Sequence, residues 1–194
     1  MPDYANTAIK ICSRASLLIG GDAIQSFTDG TAESSVADAI YEDIARSSLT
    51  NTRWRFATNQ AVLNRLSTAP TGRWDAAYQM PSGTLMLNAI TVEEQAIEYD
   101  TYGDKVYCDA VSTDEVIADY IFRAEEVDWP PYFTLAVEFA VASVFAISLA
   151  RDAQLGTAME NRAERQFIKA RRLDSQQQTT RKLNTSRFIA ERRS

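Results

Sequence analysis

Apolar residues recur every three or four positions along 7–19, where Ile11, Ala15 and Leu18 share one face. That spacing predicts a helix. Gly20-Gly21 ends it, because glycine accepts the left-handed backbone that other residues resist. A second helix is predicted from Thr31 to about Leu49, with Val36, Ile40 and Ile44 at spacings of four. Thr31 can cap it, and Glu33 lies in the first turn, where the helix dipole favours an anion. In 53–57 the order changes: Trp54 and Phe56 alternate with Arg53 and Arg55, which reads as strand-like. The two aromatics are expected to be core anchors.

From 74 to 123 the period is close to two. Strands are predicted over 84–92 and 115–123, and a hairpin from 96–100 and 105–109 around 101–104. The stretch 66–73, with Pro70 and Gly72, is the expected entry linker, and 125–131 the exit. Trp129-Pro130-Pro131 then opens a long helix to about Ala150, since proline is tolerated in a first turn. A last helix spans 152–176, striped by Leu155, Met159, Ala163 and Phe167. Gly156 should make its first turn irregular. The chain therefore reads as α+β. Residues 1–66 and 125–178 form a helical bundle, 67–124 a small antiparallel β-rich insertion, and 179–194 an extended C-terminal arm.

Composition narrows the chemistry. The 194 residues contain no histidine, so this chain alone cannot build a Ser-His-Asp triad, a Cys-His dyad or a His-ligated zinc site. Cys12 and Cys108 are too few for a disulfide framework; each is expected to be a small buried hydrophobe in a reducing compartment. Gly20-Gly21 lacks the other glycines and the lysine of a phosphate loop. The carboxylates Glu93, Glu94, Glu98, Asp100, Asp104 and Asp109 crowd the strands, but their spacing matches no calcium loop, and a solvated strand face is expected. No catalytic, cofactor-binding or metal-binding set emerges. The N-terminus lacks the basic-then-apolar order of a signal peptide. The apolar stretch 135–150 is sixteen residues long and includes Glu138. It falls short of the ~20 residues that cross a bilayer and reads as a central core helix, without stable membrane association.

The charge is divided along the chain. Residues 1–150 carry nine Lys or Arg against twenty-one Asp or Glu, whereas 151–194 carry eleven against five. The formal net charge of −6 argues against a general DNA binder. An acidic body with a basic end reads either as an interaction protein or as a solvated basic helix followed by a frayed terminus. The terminal stretch holds Arg181, Lys182, Arg187, Arg192 and Arg193 beside Leu183, Phe188 and Ile189. It is too poor in apolar residues to form a core of its own, and is expected to order on a partner.

The N-terminal run Ala8-Ile9-Lys10-Ile11-Cys12-Ser13-Arg14-Ala15-Ser16-Leu17-Leu18-Ile19-Gly20, with Ile24 and Phe27, resembles the opening of phage head-to-tail adaptor (connector) proteins. So does the acidic second helix ending before Trp54-Arg55-Phe56-Ala57. The nearest likeness is to the tail tubular protein A group of short-tailed phages. The resemblance implies a structural virion protein and no enzyme. It implies a homo-oligomeric ring of twelve subunits in the neck, assembled in the host cytoplasm, between the portal protein and a tail nozzle or tail-tube protein. Double-stranded DNA would pass through its channel during ejection. It further implies that 181–194 docks on the portal, with helical docking faces within 152–173. Acidic channel walls would repel phosphates and let DNA slide. Two other classes fit the composition: a carboxylate-based glycan hydrolase of a phage tail acting through 93–109, and a non-viral soluble interaction module whose basic tail binds nucleic acid.

Overall fold

The computed structural model describes residues 6–68, 70 and 72–177. Helix α1 (Ala8–Leu18) starts at Thr7, whose Oγ1 accepts the Lys10 amide at 3.2 Å. It stops where Gly20 turns left-handed at φ +82°. Helix α2 (Ala32–Thr50) starts at Thr31, whose Oγ1 accepts the Ser34 amide, while Asp29 accepts both the amide and the hydroxyl of Thr31. Hydrogen bonding from the nearby Ser34 and from Thr31 holds the Asp29 carboxyl well below the usual range.

The alternation at 53–57 is not a strand. Arg55–Ala57 forms a 3₁₀ turn that folds Trp54 and Phe56 beneath the helices. Strand β1 (Thr58–Val62) follows at once and β2 (Asn64–Arg65) one residue later. The strands thus begin at Thr58, ahead of the boundary expected at 67. The sequence TNQAV has no apolar alternation, because neither face of β1 is covered along its length: only Thr58 and Ala61, on opposite faces, are even partly shielded. Six further strands complete the β region: β3 (Ala76–Gln79), β4 (Thr84–Val92), β5 (Gln95–Ile97), β6 (Tyr99–Tyr102), β7 (Lys105–Cys108) and β8 (Val116–Phe122). The segment predicted as one hairpin arm over 96–100 is divided at Glu98. Its first half, β5, pairs with β4, and its second half, β6, pairs with β7.

The strands form two four-stranded antiparallel sheets, ordered β1-β8-β4-β5 and β2-β3-β7-β6. Leu63 alone separates β1 from β2, and Glu98 alone separates β5 from β6. Both edges of one sheet therefore continue into the edges of the other, which protects edges that would otherwise invite pairing with foreign strands. Between the sheets lie Leu63, Tyr78, Ile90, Val106, Cys108, Val116 and Ala118.

Helix α3 (Pro131–Ser148) begins with Pro131, as expected for a residue without an amide proton. It is long and apolar enough to cross a membrane by length and composition, yet half of it is buried against the rest of the chain. Helices α1, α2 and α4 (Ala153–Ser175) all pack on it. The first turn of α4 is regular, contrary to the expectation from Gly156. Asp152 caps it by accepting the Gln154 and Leu155 amides. A Cβ on Gly156 would come within 2.6 Å of Ile147 Cγ1, so glycine here permits the close approach of α3 and α4. Strand β8 joins the two cores: Val116, Ala118 and Tyr120 face the other sheet, and Ile121 faces the helices.

The β4–β5 connection is a two-residue turn of Glu93 and Glu94, both left-handed at φ 49° and 67°. Hairpin turns of this kind favour Asn-Gly, because at positive φ a Cβ crowds the backbone carbonyl, a cost that glycine lacks and that asparagine offsets by local hydrogen bonding. Replacing the pair together, Glu93→Asn with Glu94→Gly, should raise stability by about 1 kcal/mol, or ~2–4 °C in a thermal melt. An unchanged or lowered midpoint would show that the acidic turn carries no strain.

Candidate docking surfaces

The anchors occupy the centre of the helical region. Trp54 is fully buried, and its Nε1 donates to the Ser48 carbonyl at 2.9 Å, tying the chain after α2 back to that helix. Phe56 is partly buried beside it. Phe133 of α3 touches both, with ring centroids 5.0 Å from Trp54 and 4.9 Å from Phe56. Trp129 and Phe167 close the cluster around Phe133 at 4.9 and 6.2 Å.

The arm residues Arg181, Lys182, Leu183, Arg187, Phe188, Ile189, Arg192 and Arg193 lie outside the described residues. The point from which the chain leaves toward them is firmly set. Asp174, on the last turn of α4, is buried. Its carboxylate accepts from Tyr132 Oη at 3.0 Å and from the Arg55 amide at 3.2 Å. One side chain thereby links the end of α4 to the start of α3 and to the turn leading into β1. Burial and the Asp174 charge push the Tyr132 phenol up to about 12, so it remains a donor. Sequence reasoning missed this contact, although its signal is legible. Met159, Ala163, Ala170 and Asp174 follow one helical stripe, and an acid on an apolar stripe signals a buried partner.

A second polar assembly fastens β8 to α2. Arg123 donates to both oxygens of Glu42, to Glu126 Oε1 and to the Ala124 carbonyl. Its guanidinium stands 5.5 Å from the Trp129 ring centroid. Tyr41 Oη donates to the same Glu126 oxygen at 3.0 Å. The side chain of Arg53 lies 3.7 Å from Asp119 of β8. Together these contacts couple the helices to the strands through charge as well as through Ile121.

Glu138 is the one acid on α3, and it is buried. Arg14 Nε stands 3.0 Å from its Oε1, off the direction of a good hydrogen bond, and Arg14 also donates to Asn6 and to the Lys10 carbonyl. Burial raises the Glu138 carboxyl above its usual value, and Arg14 offsets only part of that. The folded state therefore binds this proton more tightly than the unfolded state. The associated stability is complete below about pH 4 and falls as pH rises through the raised value. Glu138→Gln should melt at a higher temperature than the parent at pH 8 and within error of it near pH 4. A mutant that is less stable at both values would show that the Arg14 pair outweighs the burial of the charge.

The strand carboxylates are dispersed. Glu93 and Glu94 form one turn, Glu98 the corner between β5 and β6, and Asp104 another turn, where it accepts from Gln79 Nε2. Asp100 accepts from Arg73, Trp74 and Tyr102, and Asp109 from the Asp75 amide. Among the described residues, no group of three or more Cys, Asp or Glu is placed to hold a metal ion. Both cysteines are buried. Burial and the Glu126 charge push Cys12 up to about 12, and burial with Asp109 pushes Cys108 up to about 11. Both thiols thus stay protonated and are poor nucleophiles at neutral pH.

Within the predicted docking span 152–173, the side of α4 away from α2 exposes Arg162, Arg165, Lys169 and Arg172 together with Ile168 and Leu173, and Arg171 is exposed on the flank of Glu164 and Phe167. That flank borders a groove of about 730 Å³ between α2 and α4. No protein-family model and no curated protein matches the chain.

Proposed function

We propose that the chain is a structural subunit of a phage head-to-tail adaptor. It would form a ring that joins the capsid portal to the tail and leaves a channel for DNA. The observation that carries this reading is the division of the molecule into an acidic body and a basic terminus. The body has its own helical and β cores, and Asp174 fixes where the terminus departs. In this reading the helices form the bundle of the adaptor and the β region faces the tail. Residues 181–194 are the arm that binds the portal. The acidic body suits a channel wall, because negative charge repels phosphates and keeps DNA from being held by counterion-releasing contacts.

Two features weigh against catalysis as the primary role. The strand carboxylates sit at separate turns and edges with local partners, not as the facing pair that glycoside hydrolysis needs. The thiols are buried and protonated. Sedimentation of the purified chain with portal rings of the phage that carries it tests the proposal. A complex of one portal with twelve copies supports it. Portal rings that sediment unaltered at micromolar chain would overturn it.

A further inference from the structure

The groove between α2 and α4 has an apolar floor and an acidic rim. Ile44, Ala140 and Phe167 line the floor, and Asp43, Glu160 and Glu164 the rim. Neighbouring charges are already engaged: Arg46 pairs with Glu42, which also holds Arg123. Among the described residues Asp43, Glu160 and Glu164 enter no ion pair. Three carboxylates beside the partly covered Ile44, Ala140 and Phe167 form a surface that favours a cationic chain with apolar side chains.

The molecule carries such a chain. Residues 178–194 hold five Lys or Arg and one Glu, with Leu183, Phe188 and Ile189 among them. This segment starts at the end of α4, the helix that supplies Glu160, Glu164 and Phe167. Along a helix Glu164 lies ~20 Å back from Gln177 at 1.5 Å per residue. Phe188 is eleven residues beyond Gln177, and an extended chain of that length spans ~36 Å. The segment can therefore double back and set Phe188 over the groove. A tether this short holds it at an effective concentration of order millimolar, well above a second copy in dilute solution.

We infer that the α2–α4 groove takes the C-terminal segment of its own chain, with Phe188 on the apolar floor and Arg187 and its neighbours on the carboxylates. The groove has room for two or three side chains, so this is a reversible clasp. Under the adaptor reading it would withhold the segment from the portal until the portal competes for it. The clasp itself requires neither portal nor ring, and the test includes neither.

The full-length chain, with p-benzoylphenylalanine in place of Phe188, is irradiated as a dilute equal mixture of ¹⁴N and ¹⁵N protein. The expected adducts join position 188 to residues 43–51 or 160–167 within one isotope. Adducts elsewhere on the chain overturn the inference, as does their absence. Adducts of mixed isotope also overturn it, by transferring the groove to the segment of a second copy. The exposed pair Glu160→Gln and Glu164→Gln provides a second readout. Trypsin should cleave after Arg181, Lys182 and Arg187 roughly five-fold faster in that variant, the size expected for losing two exposed ion pairs. Far-UV circular dichroism should stay unchanged. Equal cleavage rates in parent and variant contradict the clasp.

Discussion

Phe133→Ala is expected to lower the unfolding free energy by about 3–5 kcal/mol, the range for removing a fully buried phenylalanine. Phe133 is completely buried at the meeting point of Trp54, Phe56, Trp129 and Phe167. Those four rings come from the turn after α2, the approach to α3 and the body of α4. Because they belong to separate elements, they cannot collapse into the vacated space without moving a helix. The loss should reach the strands as well, since Ile121 and Ala124 belong to the same core. Urea unfolding followed by tryptophan fluorescence and by far-UV circular dichroism should shift together. A shift below about 1 kcal/mol would mean that the ring cluster is not the keystone of the helical region.

Under the adaptor proposal, ending the chain after Gln178 is expected to lower the melting temperature by no more than ~2–4 °C, the loss of a weak clasp, while abolishing attachment to DNA-filled heads. Both cores, and the Asp174 contacts with Tyr132 and Arg55, lie before that position. Fixing a free segment costs roughly 1–2 kcal/mol of backbone entropy per residue. Exposed ion pairs return only about 0–1 kcal/mol each, so apolar insertion must supply most of the offset. Burial of one phenylalanine contributes about 1.5–3 kcal/mol. Phe188→Ala should therefore weaken head binding by about ten-fold or more, and Arg193→Ala by less than about five-fold. Normal attachment by the truncated chain would remove the arm from the account.

The helices were the most legible part of the sequence, for reasons visible in single residues. Thr7, Thr31 and Asp152 cap them, and Gly20 and Pro131 mark boundaries. Of the predicted stripes, Ile11, Ala15, Met159 and Ala163 are buried, whereas Leu18 is exposed and Val36, Ile40 and Ile44 are only partly covered, because α2 turns Ala37, Tyr41 and Ala45 to the core instead. The strands were legible only where a face is covered. Val116, Ala118 and Tyr120 alternate because β8 lies between two cores. Thr58 to Val62 carries no strand period because β1 is largely solvated. The break at Glu98 is a tertiary event: the same run of residues serves two sheets, which no local period can encode. Trp54 and Phe56 read as core by size, yet the 3₁₀ turn that seats them breaks the two-residue alternation suggesting a strand. Asp174 and Arg123 act through partners 42 to 119 residues away and 81 residues away in sequence. Such long-range polar contacts leave little local trace beyond a charge where an apolar residue is expected.

Lys182 is the one lysine beyond Lys169, so a lysine-directed cross-linker reports on the arm from a single position. To test the adaptor proposal, the full-length chain is mixed with portal rings of the phage proposed to carry it, cross-linked and digested. If the arm docks on the portal, Lys182 joins portal peptides once portal is present. Cross-links from Lys182 that remain within its own chain, at saturating portal, would contradict it.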